Sequence, residues 1–330
     1  MSSKHVTITT LCKLLATTAV VCLALPAQAQ TVLKFGSAVS KDSHYGVASG
    51  VFCADIEKNT KGRYKCQEFP NGSLGGEREM IEAVQLGTLD LVVTSSGPLG
   101  NFVPEVKIFD IPFLFRDYDH ARKVLDGQIG QDILKKFEAK GLVGLVWGEN
   151  GFRHMTNSKR AIKTPQDAAG LKMRTMENKV HMEGYKSFGI LPTPMSFTEL
   201  FTALQQGTVD GQENPIPVIL AAKFSQVQKH LSLTGHVYSP ATIIMNPGVF
   251  NKLAADDKKI FLDAAKAGAT AMRKRVNDDE ARGIELLRKD GVEVIEKVDG
   301  EAFRKAIAPA YQGYAKEFGA DKIAAIQAVK

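Results

Sequence analysis

Over residues 31–94 the chain alternates strand-like and helix-like stretches, and this alternation limits its fold more than any other feature. Residues 31–37 alternate as a strand, and residues 45–59 space Ala48, Val51, Phe52 and Ile56 along one helix face. Residues 63–69 form a second strand stopped by Pro70-Asn71-Gly72. Residues 77–86 form a helix, and residues 90–94 a short buried strand that runs into Ser95-Ser96-Gly97-Pro98. Parallel neighbours need a crossover element, so strand, helix, strand order predicts an α/β layer with a parallel core. Ligands in such sheets bind beyond the carboxyl ends of the strands. Ser95 stands at such an end.

Further along, residues 117–140 place Leu125, Ile129, Ile133 and Phe137 on one helical face, and residues 142–147 read as a strand. The pattern then restarts after Gly151, with a strand over residues 153–157, a segment running to Arg174, and helices over residues 178–188 and 196–206. Two similar α/β units therefore follow one another, with a candidate hinge at Asn150 and Gly151. Trp147, the only tryptophan, would report movement there. Residues 255–290 carry Phe261, Ala265, Met272, Val276, Ile284 and Leu287 near one stripe. That run is about three times an average helix and predicts an element bridging both units. A strand over residues 292–296 and a helix over residues 302–318 finish the chain, and no solenoid-type repeat is present.

The first 29 residues read as a secretory signal: Lys4 and Lys13 give a basic start, an apolar run spans residues 14–25, and Ala27-Gln28-Ala29 is a small-x-small cleavage site. The run, which includes Thr17 and Thr18, is shorter than the roughly 20 residues a bilayer span needs. Val21 before Cys22 is not the small residue that lipoprotein processing uses, so a soluble exported chain starting at Gln30 is expected. Its length of about 300 residues suits two cores. Cys12 and Cys22 leave with the leader. Cys53 and Cys66 remain in an oxidising compartment, either bridged across one helix and strand layer or as two separate buried thiols.

Removing Lys4 and Lys13 leaves 40 basic against 36 acidic residues. That mild excess is spread along the chain, which argues against nucleic-acid binding. Enzyme signatures are missing. Gly72-Ser73-Leu74-Gly75-Gly76 has neither the Walker lysine nor dinucleotide spacing, and Thr94-Ser95-Ser96-Gly97 lacks the first glycine of a nucleophile elbow. No His-Glu-x-x-His or Cys-x-x-Cys appears, and Asp256-Asp257 and Asp278-Asp279-Glu280 lack the alternation and central glycine of a calcium loop. No catalytic residue, cofactor or metal is expected.

Three segments set the functional expectation. Gly170-Leu171-Lys172-Met173-Arg174 puts an arginine at the end of an apolar stretch, Pro192-Thr193-Pro194-Met195-Ser196-Phe197-Thr198-Glu199 follows, and Val209-Asp210-Gly211-Gln212-Glu213-Asn214-Pro215 reads as a turn. An arginine at a strand end presents a planar fork that fits a carboxylate bidentately, where lysine offers a point charge. On composition alone Arg174 would be an ordinary surface residue. Asn214 precedes a proline, which favours extended backbone and holds its amide at a strand end. These segments join Phe69-Pro70-Asn71-Gly72-Ser73-Leu74-Gly75, Gly87-Thr88-Leu89-Asp90-Leu91, Asp110-Ile111-Pro112-Phe113-Leu114-Phe115 and Asn150-Gly151-Phe152-Arg153. Together they resemble the DctP-type solute-binding receptors of TRAP (tripartite ATP-independent periplasmic) transporters over nearly the whole chain after the leader.

The resemblance implies a two-lobed α/β periplasmic binding protein with a long helix bridging both lobes. Residues 31–150 with about 239–279 would form lobe I, and residues 151–238 with about 280–330 lobe II. It further implies Arg174 as the clamp on a ligand carboxylate, Arg153 as a second basic contact, Asn214 in the same cleft and Phe197 as a wall. Ser95, Glu149, Glu177 and Tyr238, at strand or loop ends, are the expected specificity residues. The ligand would be a small organic anion, foremost a C4-dicarboxylate, with a sugar acid or an aromatic 2-oxo acid as alternatives. The family's sialic-acid branch carries a glutamate where this chain has Ser95, which argues against that ligand. The implied partners are TRAP membrane permease subunits, and the receptor is expected to be monomeric and without enzymatic activity. A secreted enzyme on a similar scaffold is the competing expectation.

Overall fold

The alternation in the sequence builds one half of the sheet: β1 (Thr31–Ser37), α1 (His44–Asn59), β2 (Tyr64–Phe69), α2 (Glu77–Leu86) and β3 (Leu91–Ser95), with β2 and β3 both parallel to β1. This computed structural model describes residues 30–330, and the expected leader lies outside the described residues. Local signals fix the element ends. The Ser43 side chain accepts from Gly46 N to start α1, and Gly87, at φ 79°, ends α2 in the left-handed conformation glycine tolerates. Next come α3 (Ser96–Leu99), a 3-10 segment (Pro104–Asp110), α4 (Tyr118–Asp126), α5 (Gln128–Lys135) and β4 (Val143–Asn157). The single helix expected over residues 117–140 is therefore two helices. They part at Gly127, where a Cβ would lie 2.6 Å from Lys123 O.

The other half repeats the layout with α6 (Pro165–Ala168), β5 (Lys172–Thr175), α7 (Lys179–Lys186), β6 (Leu191–Pro194), α8 (Phe197–Gln205), β7 (Gly211–Asn214) and α9 (Ile216–Ala221). Here β6 and β7 are parallel to β5. The segment read as a turn around Gln212 is thus a buried strand. Its polar residues hid it from a periodicity reading. The chain ends with β8 (His230–Met245), α10 (Pro247–Phe250), α11 (Ala255–Lys289), β9 (Glu293–Ile295), α12 (Gly300–Phe318) and α13 (Ala320–Ala328).

One sheet of nine strands results, in the order β2-β1-β3-β8-β4-β7-β5-β6 with β9 beside β8. Its centre is the antiparallel pair β4 and β8, of 15 and 16 residues. At about 3.3 Å per residue each spans roughly 50 Å, enough to serve both halves. Ala241–Met245 of β8 pair with β3, whereas its other end pairs with β9, and His154–Asn157 of β4 pair with β7. The chain does not restart at Gly151, as the sequence pattern suggested. The strand runs through that point on a register shift between Glu149 and Gly151, with Gly151 at φ 122°. A bulge admits an extra residue and bends the strand without ending it.

The 35-residue α11 packs on α1 in the first half and on α9 and β9 in the second. Its glycines permit the contact: a Cβ on Gly268 would lie 2.7 Å from Ala48 O, and one on Gly283 would lie 2.3 Å from Ile216. The mixed α/β, two-lobed architecture expected from the sequence is therefore present. Trp147 is fully buried in the first half, edge-on to Phe109 and Phe137, with Nε1 donating to Gly130 O at 2.9 Å. All three partners belong to its own half, so its emission should stay unchanged when a ligand saturates the protein. A fluorescence titration checks this, and a shift that tracks occupancy would show that its packing moves.

Cys53 on α1 and Cys66 on β2 are joined as a disulfide, with Cα atoms 5.5 Å apart and a sequence separation of 13. Closing so short a loop restricts the unfolded chain and stabilises by about 3 kcal/mol in the chain-entropy model. The Cys53→Ala, Cys66→Ala double variant should lose that amount in urea melts. Equal midpoints and slopes for the two proteins would refute the stabilising role.

Candidate functional site

A cavity of about 20 Å³ lies where the carboxyl ends of the strands in the two halves face each other. Ala38, Val39, Tyr45, Glu77 and Ser95 line it from the first half, and Arg174, Met176, Phe197, Asn214 and Val218 from the second. Asn150, on the bulge of β4, completes the lining.

Arg174 ends β5 with only 2% of its surface exposed. Its Nε and Nη2 both donate to Met195 O, at 3.0 and 2.9 Å, so the loop after β6 fixes the guanidinium plane. Nη1 has no protein partner among the described residues, and no carboxylate pairs with this arginine. Phe197 lies beneath, its ring centroid 6.0 Å from the guanidinium carbon. Burial, helped by the neighbouring charge of Arg153, pulls the pKa down to about 10. The group still carries its charge near neutral pH.

Arg153 is different. It is fully buried, gives Nε and Nη2 to the Glu213 carboxylate, and also donates to Asn214 Oδ1 at 3.1 Å and Ser239 Oγ at 3.4 Å. Burial alone would raise the Glu213 pKa, but the Arg153 charge overrides it and holds the carboxyl well below its ordinary range. Tyr185 OH donates to the same carboxylate at 2.8 Å, and His236 Nε2 lies 3.4 Å away. Arg153 is therefore placed in an internal ion pair and does not line the cavity. Its visible task is to hold Asn214, whose Nδ2 is bonded to Gln212 Oε1.

Of the other expected residues, Ser95, Phe197 and Asn214 reach the cavity with Arg174. Glu149, Tyr238 and Glu177 do not. Glu149 is buried, takes both oxygens to Arg122 at 2.9 and 2.6 Å, and accepts from Tyr238 OH at 3.1 Å. Tyr238 is packed against Phe115 and Phe152. Glu177 sits at the outer rim, 38% exposed and 3.7 Å from Arg78. Position at strand or loop ends suggested all three, but side-chain direction there is not readable from spacing.

The sequence reading missed Glu77, Tyr45, Asn150 as a lining residue, and Met176. Glu77 opens α2 and turns Oε1 toward Ser95 N, Ser95 Oγ and Thr94 Oγ1, at 2.7, 2.9 and 2.9 Å. Its Oε2 has no protein partner among the described residues. An acid at a helix start after Gly75-Gly76 was the available signal. Burial raises the Tyr45 phenol well above its usual pKa, so it faces the cavity as a neutral hydroxyl.

Beside the cavity, the fully buried Asp110 accepts from Ser96 Oγ at 2.5 Å and from Asn178 Nδ2 at 2.7 Å, with His181 Nε2 at 3.8 Å. Asn178 also caps α7 through Oδ1, so one side chain ties that helix to the opposite half. Burial pushes the Asp110 pKa up to about 7. Between about pH 4 and 7 the folded chain then holds a proton that the unfolded chain has released. This contribution to stability is complete below pH 4 and disappears as pH rises to about 7. Glu280, also raised to about 7 by burial, acts in the same direction. Asp110→Asn should therefore flatten part of the fall in melting temperature across that window. An unchanged slope would mean that Asp110 is ionised in the folded protein throughout.

Arg174 thus stands charged and without a carboxylate partner among the described residues in a cleft between two α/β halves, an arrangement that suits a small anion. The chain belongs to the bacterial extracellular solute-binding protein family 7, DctP, whose profile matches residues 35–317. Among solved structures, a TRAP periplasmic solute-binding protein from Polaromonas sp. JS666, bound to D-erythronate, superposes with a TM-score of 0.91 at 72% identity. The match covers 91% of this chain and 99% of that one. A second, from Bordetella bronchispeptica with density interpreted as pantoate, gives 0.90 at 53% identity, over 91% of this chain and all of that one. A solute-binding protein of Verminephrobacter eiseniae is 58% identical over 293 residues, 89% of this chain and 88% of its own. This chain is thus a TRAP-type solute receptor and not an enzyme.

Proposed function

We propose that this receptor captures a small hydroxylated monocarboxylate in the periplasm, closes on it, and hands it to a TRAP permease in the inner membrane. The observation that carries the reading is the charge count of the cavity. Arg174 is the one lining cation, and the Glu77 carboxylate is across from it among the lining residues. Arg153, the second cation expected to serve a dicarboxylate, is neutralised by Glu213. A second ligand carboxylate would therefore meet Glu77 with no cation to offset it, whereas a ligand hydroxyl would donate to Glu77. The foremost expectation of a C4-dicarboxylate gives way on this ground to the sugar-acid alternative. D-erythronate and pantoate, the acids named for the two related structures, each carry one carboxylate and hydroxyl groups on a four-carbon chain.

On this reading Arg174 clamps the carboxylate, Asn214 and Asn150 donate to ligand oxygens, and Phe197 with Val39 and Val218 covers the carbon chain. Residues 31–150 with about 239–279 move as one lobe and the remainder as the other, bending where β4 and β8 cross between them. The receptor works as a monomer without a cofactor. Calorimetry with D-erythronate should show Arg174→Ala losing about 2 to 5 kcal/mol, as expected when a desolvated charge pair is broken. Arg174→Lys should restore only part of it. Glu77→Gln should weaken D-erythronate and narrow its advantage over succinate. Tighter binding of succinate than of D-erythronate by the unaltered protein would overturn the monocarboxylate reading, and full affinity in Arg174→Ala would remove the clamp.

A further inference from the structure

Asn150 is 4% exposed, and the strand bulge turns its side chain toward the cavity. Its Oδ1 lies 3.0 Å from Nε2 of His44, a fully buried residue in the first turn of α1. Nδ2 of Asn150 has no protein partner among the described residues, and neither has the buried Nδ1 of His44. A neutral imidazole carries one proton, on either nitrogen. With the proton on Nε2, the ring donates to Asn150 and leaves only a lone pair unsatisfied at Nδ1. With the proton on Nδ1, a buried N–H would be orphaned, which folded proteins rarely tolerate. The imidazole packs edge-on against Tyr45 at 4.6 Å, which holds its plane.

We propose that His44 is a positioning residue for the ligand: through its Nε2–H it fixes Asn150 with the amide oxygen turned away and both amide protons presented to the bound acid. Asn150 then reads a ligand oxygen as an acceptor and disfavours a donor there, which makes the pair a specificity element. Burial lowers the His44 pKa to about 4, so the imidazole stays neutral across the periplasmic range and the arrangement does not titrate away. The inference deepens the reading of the cavity as an organic-acid site and rests on it.

Calorimetry with D-erythronate on the full receptor tests it with His44→Phe, His44→Gln, Asn150→Ala and the His44→Phe, Asn150→Ala double variant. His44→Phe keeps an aromatic ring against Tyr45 but frees the amide to rotate, and should weaken binding about tenfold. In the Asn150→Ala background the same change should cost less than twofold, because its only route to the ligand is gone. His44→Gln, which can donate from a similar position, should recover most of the loss. Equal losses in both backgrounds would mark His44 as merely structural, and no loss would remove it altogether. The imidazole tautomer, read by nitrogen NMR on histidine-labelled protein without ligand, is independent of substrate identity. A proton on Nε2 supports the proposal, and one on Nδ1 overturns it. Failure of D-erythronate, pantoate and other hydroxy acids to bind would sink the functional reading while leaving the tautomer to decide the role of His44.

Discussion

The antiparallel ladder between β4 and β8 is the constraint on which the rest of the molecule hangs. Both strands run through the two halves, so the walls of the cavity belong to one hydrogen-bonded sheet and not to two units tethered by loops. The regular ladder is interrupted within β4 by register shifts at Gly144/Val146, Glu149/Gly151 and Arg153/Met155, where a bulge bends a strand without ending it. Asn150 lies on one of these shifts, which makes a single backbone irregularity serve both the shape of the sheet and the lining of the site.

The chemistry of the cavity follows from two arginines in similar burial but opposite circumstances. Isolated buried charges are costly, and pairing Arg153 with Glu213 removes the cost for one of them. Arg174 receives only a carbonyl oxygen, which orients it without cancelling its charge. In the proposed function a ligand carboxylate would supply the missing counter-charge. The neutral pair and its neighbours meanwhile lock Asn214, so the donors are set before a ligand arrives and little side-chain entropy remains to be lost on binding.

Much of this was legible in the sequence, and the failures have physical causes. The βαβ alternation of the first half and the length of α11 show in local periodicity, whereas Arg174 stands out only through the resemblance to the receptor family. The strand containing Gln212 did not show, because its side chains are polar and are satisfied by partners such as Thr156 that lie far away in sequence. β8 was not read at all, although it is the longest strand. The roles of Arg153 and Glu149 could not be separated from that of Arg174, because what distinguishes a free arginine or acid from a paired one is a partner on another strand or helix. Glu77 and His44 stand at helix starts, where an acid or a histidine is ordinarily attributed to capping or charge balance.

The same topology governs how the chain reaches its native state. Leu91 in β3 faces Met245 in β8, so the first half of the sheet lacks a neighbour until nearly three quarters of the polypeptide is present. Pairing between such distant segments must wait for a large loop to close, and such folds form slowly compared with locally connected ones. A nascent chain that cannot complete either half early stays unfolded for longer. For a chain carrying the secretory leader expected from the sequence, that delay would keep it threadable across a membrane before it folds.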